Sequence, residues 1–349
     1  MSYSFFLGAN SSRGFFSFYD ELIDLKKAKA VYILKGCPGC GKSSLMKKIV
    51  AAAEKKGLGV ERIYCSSDPD SLDGIILPEL STAVVDGTAP HVVEPSFPLA
   101  VESYVDLGRF ADKTSLQALK SEIISTKEKH ASCFKHVYRF TACAGKLDNE
   151  LFDIALSGCS IEKIRKKAER IISAEIPKSK GCGTAKKRFL SAISPKGYLT
   201  LPLHDDLKLY ALEDTYALGH FLLSPISDAA EKSGLSIIKC YNPLIPERLE
   251  HLFIPELKLA FVTKSSDTIT GNEYYKKIRI DSMILPEALR ANKKRLSAIK
   301  HLKTEMLSAS CSALSEAKSI HDELENIYNP YIDFEELYSF ADELIEKIV

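Results

Sequence analysis

At 349 residues the chain is too long for one ordinary core and predicts about two domains, since domains typically run ~100–200 residues. Its 45% hydrophobic and 27% charged residues are those of a globular protein, and a net charge of +1 excludes a global field that would draw it to nucleic acid or an anionic membrane. No apolar run approaches the ~18 residues of a membrane-spanning helix, residues 1–7 lack a basic leader, and nine scattered cysteines, an odd count, read as reduced thiols in a cytoplasmic protein.

In chain order, the first clear element is Ala30-Val31-Tyr32-Ile33-Leu34, a short apolar run of buried-strand type. A glycine-rich turn follows, and then a helix over 43–56 with Leu45, Met46, Ile49 and Ala53 on one face and lysines on the other. Gly57 is placed to stop that helix. Residues 60–65 and 82–85 read as further strands, and strand–helix–strand order predicts a parallel sheet with right-handed crossovers. From 115 to 174 the pattern turns helical with few breakers, and Ser160 is a candidate N-cap.

The turn Gly36-Cys37-Pro38-Gly39-Cys40-Gly41-Lys42-Ser43, followed by Ser44, fits the phosphate-binding pattern G-x-x-x-x-G-K-[ST]. Its glycines let backbone N–H groups turn inward around phosphates, and the following helix adds its positive N-terminus. Lys42 is expected to reach the β- and γ-phosphates of a purine nucleotide, most simply ATP, and the Ser43 hydroxyl to ligate Mg²⁺. Cys37 and Cys40 also spell C-x-x-C, a pattern that can be redox-active, although both fall at free positions of the loop.

Ala83-Val84-Val85-Asp86 is an apolar strand ending in an acid, the form of a Walker B element, so Asp86 is a second candidate Mg²⁺ group. His91, Glu94 and Asp68 are rival candidates for a base or for positioning a water, and the residues do not choose among them. Asp70, Asp73 and Asp106 read as capping or turn residues, because acids recur at the corresponding places later in the chain.

Residues 177–188 have linker composition, and their basic cluster (Lys178, Lys180, Lys186, Lys187, Arg188) reads as solvated. Beyond them the chain repeats itself. Phe6-Leu7-Gly8-Ala9-Asn10 returns as Phe189-Leu190-Ser191-Ala192-Ile193, Glu54-Lys55-Lys56-Gly57-Leu58 as Glu231-Lys232-Ser233-Gly234-Leu235, and Leu147-Asp148-Asn149-Glu150-Leu151 as Ile320-His321-Asp322-Glu323-Leu324. The predicted fold is therefore α/β: a tandem duplication of a P-loop NTPase-like parallel-sheet unit, each followed by a helical hairpin, with units 1–176 and 189–349 joined by 177–188. Asp333 is the second N-cap candidate, matching Ser160. In the second unit Gly36 is replaced by Asp214, Lys42 by His220, Ser43 by Phe221 and Asp86 by Thr263, substitutions that predict loss of nucleotide binding there.

The run Leu34 to Lys48, the segment Cys65-Ser66-Ser67-Asp68-Pro69-Asp70-Ser71-Leu72-Asp73-Gly74 and the segment Val85-Asp86-Gly87-Thr88-Ala89-Pro90-His91 together resemble a family of tandem-P-loop bacterial ATPases of uncharacterised function. The resemblance covers the whole chain and implies a cytosolic ATP-binding protein with two P-loop-like domains, but it supplies no substrate. Cysteines at two loop positions and the altered second loop depart from the usual pattern. The favoured expectation is a Mg²⁺-dependent ATPase that moves its helical regions, which also offer a surface for a partner protein. The second unit would then be a built-in pseudo-partner, supplying a cation such as Lys196 or Arg248. A nucleotide or small-molecule kinase, and a nucleotide-sensing scaffold with negligible turnover, are the alternatives.

Overall fold

The computed structural model describes residues 2–89, 92–203, 206–264 and 274–349. The first half opens with β1 (Tyr3–Phe6) and a hairpin of β2 (Gly8–Ser11) and β3 (Gly14–Ser17). Next come β4 (Ala30–Lys35), α1 (Lys42–Lys55), β5 (Glu61–Tyr64), β6 (Leu72–Leu77), β7 (Thr82–Asp86) and β8 (Glu102–Asp106). It ends in α2 (Lys113–Ala118), α3 (Lys120–Ser157) and α4 (Ile161–Glu175). The second half lays down the same kinds of element in the same order. They are β9 (Ala185–Arg188), β10 (Ser191–Ser194), β11 (Gly197–Thr200), β12 (Lys208–Glu213), α5 (His220–Lys232), β13 (Ile237–Tyr241), β14 (Leu249–Ile254), β15 (Leu259–Thr263) and β16 (Lys276–Arg279). The helices α6 (Pro286–Ala291), α7 (Lys293–Tyr328) and α8 (Phe334–Ile348) complete it.

Two six-stranded sheets result, ordered β1-β5-β6-β7-β4-β8 and β9-β13-β14-β15-β12-β16. In each, five strands run one way and β6 or β14 runs against its neighbours. The expected parallel sheet is thus corrected to a mixed one. The cause is local: the link from β5 to β6 is shorter than the dozen or so residues that a parallel crossover needs. At the other end of β6, Ser81 takes φ 48° and turns the chain straight back into β7. Helix α1 stops where the sequence places its stop, with Gly57 at φ 75° donating its N–H to the Glu54 carbonyl (2.9 Å).

The helical regions are not hairpins on their own sheets. By the rise of an α-helix, α3 and α7 are each roughly 55 Å long, and they pack antiparallel: His130 faces His321 (5.6 Å between rings) at one end, and Glu150 pairs with Arg295 at the other. Each then delivers the following helix to the opposite half. Helix α4 buries Ile164, Ala168 and Ile171 in one core with Leu222, Ile226, Leu252 and Phe261 of the second half. Helix α8 buries Leu337, Ala341, Leu344 and Ile348 with Leu45, Ile49 and Val84 of the first. Three of those α8 side chains, Leu337, Leu344 and Ile348, are each worth ~1.5–3 kcal/mol on full burial, roughly 5–9 kcal/mol as an upper figure. That is comparable with the whole stability of an ordinary domain. Each half thus completes its core with a helix from the other.

Matching contacts tie the halves together. Phe6 and Phe189, which head the repeated segments, exchange N–H···O=C bonds of 2.8 and 2.9 Å. The Ser160 N–H donates to the Met283 carbonyl (3.1 Å), and the Asp333 N–H to the Phe110 carbonyl (2.8 Å). Asp333 also caps α8 through its side chain, whereas Ser160 makes no side-chain cap. Arg13 pairs with Glu247 and Lys196 with Asp70, both at 2.7 Å. No described helix is long and apolar enough to cross a membrane.

Residues 185–188, expected in the solvated linker, form β9. Arg188 is fully buried, its Nε 2.6 Å from Glu61 Oε1 and its other nitrogens donating to the carbonyls of Glu21, Lys187 and Leu22. Burial alone would raise the Glu61 pKa, but Arg188 and then Lys186 hold it below its ordinary 4.5. A depressed carboxylate stabilises the fold above its ordinary pKa and loses that contribution as pH falls through its folded value. Arg188→Met leaves a buried, unpaired Glu61 and is expected to cost about 3–5 kcal/mol in urea unfolding at neutral pH. The deficit should shrink as pH falls, beginning above 4.5, where the buried and unpaired Glu61 of the variant takes up its proton. A loss under ~1 kcal/mol, the range of a surface pair, would show that the pair does not hold the halves together.

Candidate functional site

The glycine-rich loop joins the C-terminal end of β4 to α1, between β7 and β8. In a parallel array the space beyond the carboxyl ends of the strands is where loops converge on a ligand. Gly39 and Gly41 take φ of 75° and 74°, values that a side chain resists. At Gly36 a Cβ would lie 2.5 Å from Cys40 Sγ, so only glycine lets that buried sulfur pack against the backbone. Gly41 is the N-cap of α1 and no side chain caps it. By helix geometry the amides of Lys42, Ser43 and Ser44 have no intrahelical acceptor, which leaves three donors and the positive end of the helix facing the loop.

Strand adjacency brings the sequence candidates together. Because β7 lies directly beside β4, Asp86 ends next to the loop, with Oδ2 3.9 Å from Lys42 Nζ, and both side chains are largely buried. Thr88 fixes the other carboxylate oxygen through its N–H (2.8 Å) and hydroxyl (2.7 Å). Lys42 Nζ also donates to the Cys37 carbonyl (3.1 Å), folding back across the loop. The Ser43 hydroxyl accepts from the Leu72 N–H (2.9 Å) and keeps a lone pair for another partner. Ser44 is exposed on the first turn of α1, while Pro38 and Gly39 form the turn between the two cysteines.

Other candidates are held elsewhere. Asp68 accepts from the Ser71 hydroxyl (2.7 Å) and faces Lys318 (3.7 Å). Glu94 is mostly exposed, bonded by the Tyr104 hydroxyl and 3.7 Å from Lys35. His91 lies outside the described residues. Arg248, expected to reach towards a γ-phosphate, is bound to Asp148 and Asn149 of α3 at 2.6 Å each, and Lys196 is engaged with Asp70. Neither cation is aimed at the loop. Among the described residues no group of three or more His, Cys, Asp or Glu is arranged to hold a metal ion. Ser43 and Asp86 supply two oxygen donors beside the loop, a set that suits Mg²⁺ when phosphate oxygens and water complete its shell.

The sequence reading misses what α7 brings. The end of that helix, from the other half, seats on the loop: a Cβ on Gly39 would lie 2.2 Å from Asn329 Oδ1, an oxygen that is buried without a hydrogen-bond partner. The backbone of Glu325 also comes against Gly39, its carbonyl oxygen 3.4 Å from where a Cβ would lie, and the Glu325 carboxyl is held below its ordinary pKa first by His321, against burial, and also by Lys318. The end of α7 thus brings a carboxylate-bearing residue against the loop. The signal was available by continuing the repeat one residue, which sets Glu325 against Phe152. Beside the loop a cavity of about 660 Å³ is lined by Cys37, Gly108, Leu116, Lys113, Lys120 and Tyr328, among others.

The corresponding loop of the second half is filled from within. The Asp214 carboxylate accepts from the N–H groups of Leu218 (2.9 Å) and Gly219 (2.6 Å), which correspond to Cys40 and Gly41. His220 stands for the lysine, its Nδ1 on the Ala217 carbonyl (3.0 Å) and its ring against Phe221 and Phe152. Burial lowers the His220 pKa and favours the neutral ring. Burial is also the main cause that lifts Asp214 to about 6, opposed by the two N–H groups. A raised carboxyl pKa stabilises the fold below its ordinary 3.8 and loses that contribution as pH rises to about 6. Relative to wild type, Asp214→Asn should therefore gain stability between about pH 4 and 6, by up to about 3 kcal/mol, and then level off. Denaturation at a series of pH values reads this, and a pH-independent difference would contradict the burial of a charged Asp214.

The chain matches no family model, no curated protein and no solved structure.

Proposed function

We propose that the protein is a Mg²⁺-dependent ATP-binding protein of the cytoplasm, and an ATPase, built from two duplicated P-loop units of which the first works and the second is self-filled. The observation that carries this reading is the contrast between the loops. Both lie at the same place in the same strand order and neither following helix has a side-chain cap, yet one loop offers Lys42 and Ser43, while in the other Asp214 takes the Leu218 and Gly219 N–H groups. The resemblance to tandem-P-loop ATPases agrees with it.

In this reading the loop N–H groups and Lys42 hold the phosphates, and Ser43 and Asp86 hold Mg²⁺, which supplies charge neutralisation at the phosphate oxygens when bound. Phosphate arriving at Gly39 meets Asn329 and the backbone of Glu325, which seat on that glycine, so binding presses on the end of α7. That helix is paired along its length with α3, which gives the nucleotide a mechanical path to the helices and to the second half. The adjoining cavity, with Lys113 and Lys120 at its wall, favours a second reading in which an anionic acceptor receives the phosphoryl group.

Mg²⁺-dependent phosphate release from ATP tests the reading. Lys42→Ala and Asp86→Asn are each expected to lower it by roughly a hundredfold or more. Release that requires an added acceptor would favour the kinase reading, and tight binding without release a nucleotide-sensing scaffold. Rates unchanged in both variants would exclude this loop as the site. Glu325→Gln removes the competing charge and should tighten Mg-ATP binding several-fold, up to about tenfold, or ~1.4 kcal/mol. Weaker binding in that variant would mean that Glu325 assists the nucleotide rather than opposing it.

A further inference from the structure

We propose that Cys37 and Cys40 form a reversible dithiol–disulfide site that reacts with low-molecular-weight disulfides and closes the loop to phosphate when oxidised. The closing effect rests on the nucleotide reading of the loop, and the thiol chemistry does not.

The geometry comes from the two residues between the cysteines. Cys37-Pro38-Gly39-Cys40 has proline second and glycine third at φ 75°, the signature of a type II turn, and the Cys40 N–H closes it on the Cys37 carbonyl (3.4 Å). Such a turn holds its end Cα atoms within about 7 Å, overlapping the ~4.4–6.8 Å that a disulfide spans. The second half keeps a similar turn, with Ala217 at φ 57° in place of Gly39, but carries Thr215 and Leu218 where the cysteines stand. The turn thus needs no thiols, and both thiols belong to the loop that carries Lys42 and Ser43.

The two sulfurs are also differentiated. Cys37 is half-buried and lines the cavity beside the loop, so a small disulfide can reach it. Its pKa is lowered to about 7, first by the hydrogen bond from Cys40 and then, against burial, by Lys42. Cys40 is 1% exposed, and the Cys37 bond and burial push its pKa up. An accessible, acidic thiol beside a buried partner is the arrangement of an attacking and a resolving cysteine.

The Cys37 thiolate attacks one sulfur of RSSR, forming a mixed disulfide and expelling RS⁻. Cys40 then gives up its proton and attacks Cys37 Sγ, forming the internal bond and expelling the second RS⁻. Two protein thiols are oxidised, RSSR is reduced to two RSH, and the two cysteine protons end on those products. An S–S bond of about 2 Å draws Cys40 Sγ away from the Gly36 backbone and from Lys42 Nζ, now 3.8 Å from it, and so resets the curve of the phosphate cradle.

The test uses the full chain in a Cys143→Ser/Cys182→Ser background, which removes the two exposed thiols. It is treated with oxidised glutathione and mapped by peptide mass spectrometry. The expected product joins Cys37 to Cys40, lighter by two hydrogens and reversed by dithiothreitol. Cys40→Ser should stop at a glutathione adduct on Cys37, and Cys37→Ser should give neither species. Mg-ATP affinity, measured by calorimetry on reduced and oxidised protein, should fall at least about tenfold on oxidation. Cys37 and Cys40 remaining thiols, or no adduct in Cys40→Ser, would overturn the dithiol site. A disulfide with unchanged affinity would overturn the closing effect alone. Absence of Mg-ATP binding by the reduced protein would remove the nucleotide reading, and the closing effect with it, while leaving the thiol result standing.

Discussion

Each sheet lacks a helix for part of one face, and the missing helix comes from the other half. Helix α8 covers the first half with Leu337, Leu344 and Ile348, and α4 covers the second with Ile164 and Ile171. The burial involved is comparable with the net stability of a domain, so the exchange fixes how the halves sit. Everything else follows from that. The helices that precede α4 and α8 must cross the molecule side by side, and their ends arrive at the loop of the opposite half. Glu325 and Asn329 reach Gly39 for this reason, as Phe152 reaches His220 and Phe221.

The two loops are two answers to one electrostatic demand. A helix start with no side-chain cap presents donors that need an anion. In the second half Asp214 supplies one from inside the loop, and neutral or apolar side chains fill the remaining space. In the first, Lys42 raises the demand instead of meeting it, balanced in part by Asp86 and by a carboxylate at the end of α7. A phosphate-bearing ligand would meet that demand fully, and would do so at the contact between the halves.

The local part of this architecture is legible from residues alone. The Val31–Leu34 run, the glycines of the loop and the Leu45–Ile49 face state strand, turn and helix through short-range rules, and β4, α1 and Gly57 fall where those rules place them. Asp86 was legible as a second candidate group from the apolar strand it ends, while its pairing with Lys42 follows from β7 lying beside β4. What was not legible is long-range. No strand is read at Leu72–Leu77 from the residues, and its short links make it antiparallel. Ala185–Arg188 looks like solvated linker because the partner that buries Arg188, Glu61, is remote in sequence. Exchange of α4 and α8 leaves no mark in the periodicity of either, because an apolar stripe does not say which sheet it covers.

On the proposed function, one loop is open to a nucleotide and the other has filled itself. Calorimetric titration of Mg-ATP into the whole chain, with Lys42→Ala alongside, counts the sites directly. One site per chain, abolished by that substitution, is expected. Two sites would contradict the reading of Asp214 as an internal anion, and one site surviving in Lys42→Ala would place the nucleotide somewhere other than the Gly36–Ser43 loop.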